Sequence, residues 1–239
     1  PYEEQLEVMP LIDTSLVTSM QNTWRDCYNL VSIPQINTSK VTHMGSVCSD
    51  CFALTSFPAI DTKNVFTFQN AWEYCSSLTS FPAIDTSECI TFSGTWNGCT
   101  NLTSFPWIDT SKAENMYATW MGLSTITSFP LINTAKATTL TSCWAGCTNL
   151  LAFPLIDTGL VSTWVNTWLA CSSLTSFPLL NTSSATSFHG SWQNCTSLTS
   201  FPANMFDNCQ ATNYTNAFAQ CALDETSVNG ILVSIALAA

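Results

Sequence analysis

Charge is what this chain has least of. Asp, Glu, Lys and Arg make up 9% of its 239 residues, against roughly a quarter in an ordinary soluble domain. The only cations are Arg25, Lys40, Lys63, Lys112 and Lys136, and the formal net charge is −11. Such a chain offers a phosphate backbone or an anionic membrane surface nothing to hold, so nucleic acid is not an expected partner. Histidine is nearly missing: His43 and His189 stand far apart in sequence. The eight glycines are scattered, and no glycine-rich phosphate loop, carboxylate pair or nucleophile motif is present. No enzyme, cofactor or metal site is expected. No stretch reaches the roughly 18 consecutive apolar residues of a transmembrane helix. The apolar run 231–239 is too short to span a bilayer and reads as part of a packed cap.

What the chain does have is a clock. Pro10, Pro34, Pro58, Pro82, Pro106, Pro130, Pro154, Pro178 and Pro202 are each 24 residues apart. A fixed period in this range means one unit copied and stacked, each copy burying its apolar face against its neighbours. Counting each Pro as position 0, Ile or Leu recurs at +2, Trp at +14 (Trp24, Trp72 through Trp192, with Cys48 as the exception) and Cys at +17 (Cys27, Cys51, Cys75, Cys99, Cys147, Cys171, Cys195). Leu or Ile fills +20, and +23 is Ile33, then Phe57 through Phe201.

Within one unit, Leu78-Thr-Ser-Phe-Pro-Ala-Ile84 reads as a short strand shortened by its proline, which cannot donate to a ladder. Asp or Asn at +3 and Thr at +4 read as a corner and helix start. Apolar residues at +7, +10, +14 and +17, as in Val65, Phe68, Trp72 and Cys75, are spaced like one face of a short helix. The expected fold class is α/β, a leucine-rich-repeat solenoid of about nine 24-residue coils with a short parallel strand, a corner and a short helix in each. Strands about 4.8 Å apart make eight full coils roughly 40 Å long. The expected domains are a flank at 1–9, eight regular repeats over 10–201, and an irregular last repeat with a C-terminal cap over 202–239.

These columns resemble the leucine-rich repeats of bacterial BspA-type surface proteins, built on Cys-x-x-Leu followed by a short strand. The Asp-Thr-Ser-x-Val-Thr stretch is closer still to the repeats of mycoplasma and bacterial lipoprotein surface arrays. Leu-Thr-Ser-Phe-Pro units are also similar to those of marine phage proteins. The likeness spans about residues 5–222 and departs in having Trp for Phe and a Pro inside the strand. It implies adhesion or recognition outside the cytoplasm, on a cell or virion surface.

Seven of the twelve cysteines share column +17, where one coil accepts Leu123. A column that tolerates Leu is a packing column, so these read as buried thiols. Cys209 and Cys221, both in the irregular last repeat, are the disulfide candidates. Cys48 and Cys51 form a CxxC without the second pair that zinc requires.

The exposed strand face of a solenoid is the usual contact surface. Here it should carry Thr55, Thr79, Thr103, Thr127 and Thr175 beside Ser56, Ser80, Ser104, Ser128 and Ser176, one row turning inward if side chains alternate strictly. Position +1 varies most, running Leu11, Gln35, Ala59, Ala83, Trp107, Leu131, Leu155, Leu179 and Ala203. Trp107 is the sharpest binding candidate, because Trp is a frequent hot-spot residue; the competing reading puts its column in the core. The expected partner is a host surface protein or a glycan. The alternatives are a structural repeat stacking into a fibre or virus particle, with self-association left open, and an ice-binding solenoid.

Overall fold

The computed structural model describes residues 7–238. Over that span the chain winds into nine coils about a common axis. Consecutive coils meet in parallel at Ser19, His43, Thr67, Thr91, Asn115, Thr139, Thr163, Ser187 and Asn213. These residues occupy position +9 or its equivalent, one per coil, so the chain is a repeat solenoid. The sequence reading placed the parallel strand across the proline instead. There the bridges are Val8–Ser32 and Ser176–Ser200, and bonds such as Thr55 N–H to the Val31 carbonyl (3.1 Å) hold the +21 column together.

The short helix expected in each coil over +7 to +17 does not form. Among the described residues the one helix is α1, Glu225–Ala238, after the last coil. Left-handed backbone at +12 and +16 is the reason: Asn22 and Asp26, Asn70 and Tyr74, Asn166 and Ala170 all have φ between 53° and 62°. An α-helix of L-residues cannot contain such angles. The spacing of three, four and three residues comes from successive tight turns, in which Thr95 N–H donates to the Phe92 carbonyl (3.0 Å) and Cys99 N–H to the Trp96 carbonyl (3.1 Å).

The remaining amides of this arc leave the coil. Asn70 N–H donates to the Ser93 carbonyl, Gly94 N–H to Tyr117, Ala118 N–H to Thr141 and Ser142 N–H to Val165, at 2.7–2.9 Å. Donor and acceptor belong to the same peptide group in consecutive coils, the one joining +11 to +12. The groups joining +9 to +10, +13 to +14 and +15 to +16 stack in the same way, as in Phe92 to Asn115, Trp96 to Thr119 and Gly98 to Met121. Four amide columns therefore run along the solenoid, all with N–H toward its C-terminal end.

Around the proline the inward residues are Leu at +20, Phe at +23, Ile at +2 and Thr at +4, at steps of three, three and two. A step of three leaves two residues outside. Thr at +21 and Ser at +22 are both exposed, which overturns the expectation that one row turns inward.

Aromatic ladders fill the core. Trp72, Trp96, Trp120, Trp144, Trp168 and Trp192 stack coil on coil with centroids 5.6–6.2 Å apart. Each meets Phe rings edge-on, as Trp72 meets Phe81 at 4.6 Å. These are favoured geometries for ring quadrupoles. The six indole N–H groups have no nitrogen or oxygen acceptor. The +4 threonines are buried for a different purpose: Thr62 Oγ1 donates to the Asp85 carbonyl (2.6 Å), Thr86 to Asp109 (2.7 Å) and Thr110 to Asn133 (2.6 Å). The Asp and Asn side chains at +3 close the corner by accepting the N–H two residues on, as Asp109 does from Ser111 at 2.8 Å.

All twelve cysteines are free thiols. In column +17 the S–H donates to the +14 carbonyl of the preceding coil, Cys99 to Trp72 (3.1 Å) and Cys171 to Trp144 (3.2 Å). That bond is what Cys provides and Leu123 does not. Cys209 and Cys221, the disulfide candidates, are not joined. Cys221 is drawn into the +17 ladder, donating to the Trp192 carbonyl at 3.0 Å, while Cys209 sits against the Ala185 carbonyl and the Tyr214 hydroxyl, each at 3.7 Å.

Candidate functional site

The +1 column decides which face is distinctive. Its side chains follow the inward Phe and the proline, and the next inward residue is Ile or Leu at +2, so +1 points out. Trp107 is 67% exposed, Leu131 64%, Leu155 65% and Leu179 52%. The competing reading of Trp107 as a core residue is thereby overturned. On either side the same position is Ala, at Ala59, Ala83 and Ala203. Apart from Leu11 in the first coil, which is also exposed, the large apolar side chains of this column fall in four consecutive coils and form one ridge. Trp107 is also exceptional by type: Trp24, Trp72, Trp96, Trp120, Trp144, Trp164, Trp168 and Trp192 are all buried.

Beside the ridge runs a shallow groove of about 330 Å³, walled by Trp107, Leu131 and Leu155 and edged by Asn133 and Asp157. A depression of about 310 Å³ continues the line beside Leu179 and Asn181. Across the proline from Trp107, a third hollow of about 270 Å³ is lined by Thr103, Ser104, Thr127 and Ser128. The chain thus sets an indole between an apolar groove and a hydroxyl-lined one.

Thr55, Ser56, Thr79, Ser80, Thr103, Ser104, Thr127, Ser128, Thr175 and Ser176 all lie on the exposed face. Their hydroxyls are not equivalent. Thr55 Oγ1 donates to the Val31 carbonyl (3.3 Å) and Thr103 Oγ1 to the Thr79 carbonyl (3.2 Å), so the threonines partly serve the coil-to-coil contact. Of the predicted set, Trp107, Thr103, Ser104, Thr127 and Ser128 come together around one spot. Thr55 and Ser56 lie two coils toward the N-terminus, Thr175 and Ser176 three coils toward the C-terminus.

Leu131, Leu155 and Leu179 belong to the site although the sequence reading singled out Trp107 alone. The signal was the change in size along one column, from Ala to Trp and Leu and back to Ala. A second, polar groove of about 460 Å³ lies on the left-handed arc of the first three coils, lined by Gln21, Arg25, His43, Gln69 and Asn70 among others. No residue of the predicted set lies in it. His43 packs edge-on against Phe66 with centroids 4.3 Å apart. His189 lies six coils away.

Electrostatics near the ridge are mild. The Asp85 carboxyl is held below the usual carboxylate range by the Ser87 hydroxyl and N–H, which both donate to it. Lys112 bonds Glu88 of the preceding coil at 2.7 Å. Among the described residues no three His, Cys, Asp or Glu side chains gather into a metal-holding group. Among the same residues no helix is long and apolar enough to cross a membrane.

No protein-family model matches the chain, and no curated protein sequence matches it. Among solved structures it is similar to a leucine-rich repeat protein of T. pallidum, with a TM-score of 0.46 and 17% identity over 70% of this chain and 76% of that one. It is also similar to a leucine-rich repeat protein of Bacteroides ovatus, with a TM-score of 0.40 and 17% identity over 92% and 74% of the two chains. A leucine-rich cell surface protein of Faecalibacterium prausnitzii gives a TM-score of 0.34 and 14% identity over 94% and 89%.

Proposed function

We propose that this chain is a recognition module that binds a host surface protein or a glycan, displayed outside the cytoplasm on a cell or a virus particle. The observation that carries this reading is the Trp107 ridge. One indole of nine is outside, two thirds exposed, at the head of an apolar row that runs through four consecutive coils. Water-exposed aromatic surface of this kind is what a sugar ring or a protein hot spot uses. The neighbouring hydroxyl rows and Asn133 and Asp157 supply the polar rim.

A glycan array and a panel of purified surface proteins, probed with the parent chain and with Trp107→Ala, test this. The variant should keep the parent's melting temperature, since its side chain is outside the core, and lose at least tenfold in affinity. Equal binding by both eliminates the site.

A second reading has its own observation. Two outward rows of Thr and Ser recur along the face, broken at Val31 and at Leu151-Ala152, and approach the regular hydroxyl lattice that an ice surface would demand. A thermal hysteresis assay separates the two: unaffected freezing removes the ice-binding reading.

A further inference from the structure

We propose that the C-terminal end of the solenoid is a docking surface for the first coil of a second copy of this chain, and that α1 keeps it shut. The four amide columns give the solenoid a direction. In coil nine the carbonyls of Asn213, Thr215, Ala217 and Ala219 are taken by the amides of Phe188, Gly190, Trp192 and Asn194, at 2.8–2.9 Å. The amides of Tyr214, Asn216, Phe218 and Gln220, which point onward, have no acceptor among the described residues. At the other end the amides of Met20, Asn22, Trp24 and Asp26 bond to coil two. The carbonyls of Ser19, Gln21, Thr23 and Arg25 receive no donor among the described residues.

One end is therefore an edge of donors and the other an edge of acceptors. An extended peptide cannot satisfy either, because a β edge alternates the two. The matching partner is a backbone of the same shape, and coil one has it: Asn22 and Asp26 sit at φ 57° and 62°, Asn216 and Gln220 at 58° and 64°. Side chains agree with the backbone. Phe218 stacks on Trp192 with centroids 5.1 Å apart and is only half-buried, so an incoming Trp24 would continue the indole column. Contact is head to tail, a heterologous interface that does not close on itself.

The helix α1 obstructs this contact. Ser227 Oγ accepts the Phe201 N–H (3.0 Å) and Ser234 Oγ the Phe206 N–H (2.8 Å). Between them Gly230 lies so near Ala203 that a side chain on it would come within 2.9 Å of the Ala203 Cβ. Lying across 201–206, α1 fills the room that residues 10–17 of an incoming coil would need, and leaves the 213–220 arc uncovered beside it.

The test compares the full chain, a chain lacking residues 225–239, and each with Asn22→Pro, by sedimentation and light scattering across concentrations. Proline cannot adopt a positive φ, so Asn22→Pro spoils the acceptor edge, and in a repeat stack the damage stays in the terminal coil. The full chain should stay monomeric, and the shortened chain should form a concentration-dependent series of oligomers. Asn22→Pro should abolish that series. Excess full chain should shorten it, because its own acceptor edge docks while its α1 stops the next addition. Gly230→Leu in the full chain, which prises α1 from Ala203, should give the same series more weakly. A shortened chain that stays monomeric overturns the proposal, and so does association insensitive to Asn22→Pro or to excess full chain.

Discussion

Thr103 and Thr110 carry the same side chain seven residues apart, and the coil uses them differently. Thr110 is buried, with its hydroxyl on the Asn133 carbonyl of the next coil; Thr103 lies on the open face. Replacing Thr110 by Val removes a buried hydroxyl that both donates to the Asn133 carbonyl and accepts the Asn133 N–H, which costs about 1–3 kcal/mol. Thr103→Val should stay within about 0.5 kcal/mol of the parent. Urea unfolding of the two variants checks this, and equal losses would contradict the buried ladder. The thiols make a pH prediction. Burial pushes Cys89, Cys147 and Cys195 up to about 12 from an ordinary 9.0. The folded state thus prefers the protonated thiol. That contribution is intact below pH 9 and is lost between about 9 and 12, as the unfolded chain sheds protons that the folded one keeps. The unfolding midpoint should hold steady from pH 7 to 8.5 and then fall through pH 11. A flat profile would contradict it.

At the scale of the element, the left-handed arc is where sequence and structure part. The apolar spacing of Val65, Phe68, Trp72 and Cys75 fits a helix, and so does the absence of proline there. The information that forbids a helix sits in the residues between, Asn, Ser, Gly or Ala at +12 and Asp, Tyr, Gly, Ala or Asn at +16. No single residue type marks those positions, so periodicity alone misassigns them. The step of three around the proline was missed for a related reason: Leu, Phe and Ile were legible as inward, but the two residues between Leu and Phe were assigned by strand alternation. Which column is buried was readable, and which backbone delivers it was not. Trp107 was ambiguous because its column is mostly apolar on either reading. The arc itself is testable at +16. Ala170 has φ 61° while Gly122 in the same column has φ 76°, and only glycine takes such angles without strain. Ala170→Gly should raise stability by up to about 1 kcal/mol and Gly122→Ala should lower it by about the same. Opposite shifts in the denaturant midpoint are the signature; shifts of the same sign would mean the backbone there is not left-handed.

At the scale of the whole molecule, stability is distributed along the axis rather than around a centre. Each coil bonds only the coils before and after it, so a coil should be removable if the register is kept. Deleting residues 111–134 joins Thr110 to Ala135, the +4 and +5 positions of one corner. The product should fold cooperatively with a lower melting temperature and the parent's near-ultraviolet circular dichroism per coil. Deleting 113–134 shifts every downstream column by two residues, and should give a chain whose C-terminal half no longer protects its amides from exchange. Similar behaviour of the two deletions would mean that the columns do not act as ladders.

The separation of Trp107 from the other eight indoles also has an optical side. Eight emitters are buried, six of them in one stacked column whose nitrogens have no nitrogen or oxygen acceptor, and one stands exposed on the ridge. The folded chain thus carries a single water-facing indole against a blue-shifted background of buried ones, placed where an incoming ligand would touch it. Whatever settles on that face should announce itself in the red edge of the emission, without any label being attached.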